Sequence, residues 1–170
     1  MNKERVAFIR DRLMVIANDE KACSQFDIDQ WVAQPAEPHA LPVVDAKAPI
    51  EPECGFAGCI LGWASHERWF EPWGYKATWN GMSSMHLHRL GQEVAYLSEP
   101  ERPFADILGV DPCVTNRIIY DTYYEGTDSP INEAIELLTF LLDKGEKAFI
   151  DRYVDEGERS EPKVSERFAE

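Results

Sequence analysis

The chain has 170 residues, and 31 acidic against 17 basic side chains give it a formal net charge of −14. That balance argues against nucleic acid or anionic lipid as the main ligand, because both select a concentrated positive surface. With 44% apolar and 11% aromatic residues a core can form, so wholesale disorder is excluded, and the length fits one domain.

The N-terminal run Met1-Asn-Lys-Glu-Arg-Val6 has no secretory apolar region. The longest uninterrupted apolar stretch, Phe56 to Ala64, is nine residues and includes two glycines. A membrane span needs roughly 20. A cytoplasmic protein is therefore expected, without membrane or direct nucleic-acid contact. The acidity is uneven: residues 23–60 carry −5 and residues 91–130 carry −6, whereas 1–22 and 61–90 each balance to +1. Such charge keeps a protein soluble, or it forms an acidic face that meets a basic partner.

Along the chain, Val6, Ile9, Leu13, Ile16 and Ala17 fall on one stripe of a 3.6-residue period, predicting a helix from Lys3 to Asp19 with Arg5, Arg10, Asp11 and Arg12 largely off the stripe. Five prolines between Trp31 and Glu53 exclude a continuous helix, and a long proline-rich wrapping loop is expected there, anchored by Phe26, Ile28 and Trp31. The run Cys54-Gly55-Phe-Ala-Gly58-Cys59-Ile-Leu-Gly62-Trp63-Ala64 spaces small residues at helical intervals. It predicts a buried helix from Gly55 to Trp69, held by packing because three glycines lower its propensity by about 1 kcal/mol each. Tyr75 to Trp79 reads as a short strand, and Leu87, Leu90, Val94 and Leu97 as another helix.

Phe104, Ile107 and Leu108 predict a short helix capped by Gly109. Asp111-Pro112 and Ser129-Pro130 are helix starts. Val114, Ile118 and Ile119 form the face of the first of these helices. The second carries the strongest apolar stripe, Ile131, Ile135, Leu138, Leu141 and Leu142, ending near Gly145. A last turn or two with Ala148, Phe149 and Tyr153 stops near Gly157. The expected architecture is mostly α: a single compact domain over residues 1–157 with five to six helices, and a charged, disordered tail over 158–170.

The order of segments resembles a family of small uncharacterised proteins encoded by phages, prophages and plasmids. The residues that carry the resemblance are Phe26-Asp-Ile-Asp-Gln-Trp31, Cys54-Gly55-x-x-Gly58-Cys59-Ile60-x-Gly62-Trp63-Ala64 and Leu108-Gly109-Val110. It implies an accessory protein of a mobile element and assigns no catalytic residue.

Four cysteines and four histidines are the candidates for chemistry. His86-x-His88 with Cys54, Cys59 or His66 could make a tetrahedral zinc site, but neither paired C-x-x-C nor H-E-x-x-H occurs. Cys54 at a helix start could act as a thiolate with His66 or His86 as base. Against that, Cys54 and Cys59 among Gly, Ala and Ile read as spacers of a close helix contact. The glycine-rich run lacks the Lys and Ser/Thr of a phosphate loop. The hairpin over 103–120 has a helix-turn-helix outline but offers only Asn116 and Arg117 among acids.

Two aromatic groups suit an interface: Trp69, Trp73, Tyr75 and Trp79, and Tyr120, Tyr123 and Tyr124 beside Asp121 and Glu125. The expected partner-binding set is Asp111, Arg117, Asp121, Tyr123, Tyr124 and Glu125. Cys54, Gly55, Gly58, Cys59, Gly62 and Trp63 are expected to be structural, with no cofactor and no metal. The leading expectation is a non-enzymatic binding protein of a phage or mobile element. It would inhibit or recruit a basic nucleic-acid-binding or defence protein, with Asp106, Asp111, Asp121, Glu125 and Asp128 imitating a phosphate backbone. The alternative is a metal- or thiol-dependent enzyme built on Cys54, Cys59 and the histidines.

Overall fold

The computed structural model describes residues 1–24, 60–79, 85–90, 101–121 and 129–154. The proline-rich segment, Cys54, Gly55, Gly58, Cys59, Val94, Leu97, Tyr123, Tyr124, Glu125 and the tail over 158–170 lie outside the described residues.

The described chain is mostly α-helical. Helix α1 (Lys3–Asn18) starts on Asn2, whose side chain accepts from the Arg5 N–H at 3.2 Å. Its stripe of Val6, Ile9, Leu13 and Ile16 is wholly buried and packs chiefly on the long helix α6 (Pro130–Lys144). A four-residue turn, α2 (Glu20–Cys23), restarts the helix because the Asp19 side chain accepts from the Ala22 N–H at 2.8 Å. Helix α3 (Ile60–His66) is followed by a 3-10 turn (Glu71–Trp73) and an antiparallel pair of strands, β1 (Tyr75–Trp79) and β2 (Met85–Arg89). The pair runs in register from Tyr75 opposite Arg89 to Trp79 opposite Met85. Helices α4 (Glu101–Leu108) and α5 (Pro112–Asn116) form a hairpin that continues into a π-helical turn (Arg117–Asp121), and α7 (Glu146–Tyr153) follows α6. The core gathers all these elements, with Trp63, Trp69, Phe70, Phe104 and Phe149 as its largest apolar side chains.

Three expectations are corrected. Helix α3 ends at His66, not Trp69. Arg68 adopts φ 56°, and the Trp69 N–H donates back to the Ala64 carbonyl at 2.9 Å. This is a left-handed helix ending of the type usually built on glycine, and it turns Trp69 into the core. The same geometry ends α4 with the expected residue: Gly109 has φ 64°, and the Val110 N–H reaches the Ala105 carbonyl at 3.1 Å. Second, Leu87 lies buried in strand β2 while Leu90 just beyond it is exposed, so their helical spacing does not mark a helix there. Third, Trp69 and Tyr75 are buried and Trp73 half-buried. Phe8 of α1 meets Trp69 and Trp73 edge-on at centroid distances of 6.4 and 5.3 Å. These rings fill the core under α1 and do not form an open aromatic surface.

Arg12 lies off the apolar stripe by composition only. It is 1% exposed, and its guanidinium donates to Glu67, whose same carboxylate oxygen also accepts from the Trp69 indole N–H at 2.8 Å. At the other end of α1, the Asn2 N–H and the Arg5 guanidinium donate to the carbonyls of Leu108 and Ile107 at 2.6 and 3.1 Å. They supply partners that the last turn of α4 lacks within itself.

A Cβ on Gly109 would sit 3.3 Å from the Asn2 backbone nitrogen. Gly109→Ala is therefore expected to lower stability by about 1–2 kcal/mol in urea denaturation, since the left-handed region alone costs an alanine that much. Arg68→Gly is expected to leave the urea midpoint nearly unchanged, because relief of the same strain offsets glycine's entropy and the loss of the ion pair to Glu71.

Candidate functional site

Of the expected contact residues, Asp111, Arg117 and Asp121 fall among the described residues, on the hairpin and the π-helical turn that continues it. Asp111 is exposed and caps α5, accepting from the Cys113 N–H at 2.9 Å, while its own N–H donates to Glu146 at 2.6 Å. Glu146 thus ties the start of α7 to the start of α5. Asp106 is exposed and stands 4.0 Å from Arg89, a separation at which two solvated charges interact weakly. Thr115 is buried, with its hydroxyl donating to the Pro112 carbonyl at 2.9 Å.

Arg117 sits elsewhere than the sequence suggests. The first residue of the π-helical turn, it is 7% exposed and pairs with Glu133 of α6 at 3.6 Å. Its guanidinium therefore faces the protein and is not an open group for a partner or a phosphate. Gly62 and Trp63, expected to be structural, are buried on α3.

Arg117 and Glu133 line an open cleft of about 360 Å3, together with Ser129, Asn132, Glu136, Leu137 and Tyr153. One oxygen of Glu133 faces Arg117; the other, Oε2, is buried with no hydrogen-bond donor among the described residues. Neither Glu133 nor Tyr153 carried a sequence signal for this role: the first is one of several helix acids, the second an apolar-stripe residue. Only their spacing from Arg117 across two helices makes the cleft.

Charge is uneven along the sequence: residues 23–60 carry −5 and residues 91–130 carry −6, whereas 1–22 and 61–90 each balance to +1. The hairpin and turn at 101–121 contribute −2.

Among the described residues no group of three or more His, Cys, Asp and Glu side chains could hold a metal ion, and no helix is long and apolar enough to cross a membrane. Cys113 is held as a neutral thiol: burial first, then the Asp111 carboxylate and Glu146, push its pKa up to about 12.

Two outcomes follow for Cys113. It is expected to stay unalkylated by iodoacetamide at pH 8 in the folded protein and to react on unfolding, as peptide mass mapping reads directly. Because its folded pKa is raised above the ordinary thiol value of about 9, the unfolded state releases this proton first. Its contribution to stability is present below pH 9 and declines between pH 9 and 12. Cys113→Ser should flatten that decline in denaturation midpoints measured against pH.

No protein-family model, curated protein or solved structure matches this chain.

Proposed function

We propose that the chain is an acidic, protein-binding accessory protein of a phage or mobile element, acting in the cytoplasm on a basic nucleic-acid-binding or defence protein and inhibiting it by occlusion. The observation that carries this reading is the division of charge. Residues 23–60 and 91–130 together hold −11 of the −14, whereas 1–22 and 61–90 each balance to +1. Acids gathered into two stretches of the sequence favour long-range attraction of a positive surface. The Cys54–Ala64 motif supports the mobile-element part of the reading.

The expected residues keep distinct roles in this account. Asp121, Tyr123, Tyr124 and Glu125 remain the proposed contact group, and Asp111 caps the second helix of the hairpin. Direct readout of a nucleic acid has no support, because the one cation on the second hairpin helix is paired with Glu133.

Affinity capture from a host lysate, quantified at two salt concentrations, tests the reading. A basic partner should be retained at 50 mM salt and fall at least about tenfold at 300 mM, since screening weakens exposed charge pairs at this range. Asp121→Lys with Glu125→Lys should abolish capture, while Glu4→Gln with Asp143→Asn should leave it unchanged. Retention that ignores both the salt and the charge reversal contradicts the proposal.

A further inference from the structure

Strand β2 gives a place to a motif that the binding reading leaves unused, His86-x-His88. In a helix, residues two apart fall on different sides, and the pair would be divided. Met85–Arg89 is extended instead, and successive residues of a strand alternate between its faces. Leu87 is 1% exposed and belongs to the core, so His86 and His88 occupy the opposite face of the hairpin. The register agrees. Lys76, opposite His88, is exposed, whereas Tyr75 beside it is buried. Cross-strand partners share a face, so Lys76, Thr78, His86 and His88 are placed together on the outer side.

Spacing and donor chemistry select the ligand class. Alternate positions of one strand stand about 6.7 Å apart, a span that two histidines bridge to a single ion. The antiparallel pairing from Tyr75 opposite Arg89 to Trp79 opposite Met85 fixes that spacing before any ion arrives. Imidazole suits nickel, copper and zinc, whereas magnesium and calcium take oxygen ligands. Solvent and salt screen the exposed Lys76 ammonium, and the net charge of −14 raises the concentration of cations around the chain.

We propose that the outer face of the β1–β2 hairpin binds a divalent transition-metal ion of the nickel, copper and zinc class, with His86 and His88 as its protein ligands and water in the remaining positions. Two protein ligands are fewer than the three or four of catalytic and structural zinc sites, so the ion is an exchangeable surface chelate and no reaction is attached to it. The site uses none of the residues of the acidic-partner reading and stands if that reading fails.

Ni2+ is the probe on the full chain, because it does not oxidise the four cysteines, and excess Mg2+ occupies the exposed carboxylates. In an NMR titration, paramagnetic Ni2+ below stoichiometry should broaden the amide signals of residues 76–78 and 85–89 first. Calorimetry should then show saturable binding. His86→Asn and His88→Asn should each weaken it about tenfold or more, since even residues that only orient a metal's ligands are worth about 10–100-fold. The double variant should abolish it, and His39→Asn should leave it unchanged. Because the strand presets the spacing, Ni2+ should raise the thermal midpoint of the wild type and not that of the double variant. Binding that persists in the double variant and is lost in Cys54→Ser with Cys59→Ser would assign the ion to thiols and overturn the proposal. Broadening that begins away from the hairpin, or a wild-type midpoint that Ni2+ leaves in place, would overturn it as well. The broadening pattern and the wild-type midpoint need no variant, so the test holds even where a substitution unfolds the chain.

Discussion

A buried ion pair fixes the first helix. Arg12, at the centre of α1, meets Glu67 just past the end of α3, and the Trp69 indole N–H closes the same carboxylate oxygen. Three residues from two distant parts of the sequence thereby meet in the interior. Removing one partner of such a pair leaves an uncompensated buried charge, at about 3–5 kcal/mol, whereas replacing the pair by apolar groups is often neutral. The pair's value here is therefore positional. With Glu67 held, the chain must reverse at Arg68, Trp69 must enter under Phe8, and the strands that start at Tyr75 leave from a fixed corner.

The second buried pair joins Arg117 to Glu133 of α6. The Glu67 carboxylate accepts from both Arg12 and the Trp69 indole, whereas Glu133 meets Arg117 beside an open cleft. Both pairs draw an arginine away from the surface.

Much of the fold was legible because it rests on local chemistry. Asp111 caps a helix through its side chain, Pro112 and Pro130 begin helices, and Gly109 and Gly145 stand just past helix ends with positive φ. The apolar stripes of α1 and α6 are the faces that pack together. What escaped the sequence is tertiary. Arg68 occupies a left-handed position that carries no glycine signal, and Leu87 shares helical spacing with Leu90 by coincidence. Arginines are counted as surface residues until a partner is brought to them. Nothing in the sequence spacing marks Arg117 as buried against Glu133, because a contact between helices has no periodicity of its own.

A double-mutant cycle on Arg12 and Glu67 tests the positional role of the buried pair most directly. Arg12→Met and Glu67→Gln are each measured alone and together by urea denaturation. The account predicts that Arg12→Met alone loses about 3–5 kcal/mol, that the double variant recovers most of the loss, and that the two sites couple by about 2 kcal/mol or more. Losses that simply add, with coupling below about 0.5 kcal/mol, would show that α1 is held by its apolar stripe alone and would contradict the account.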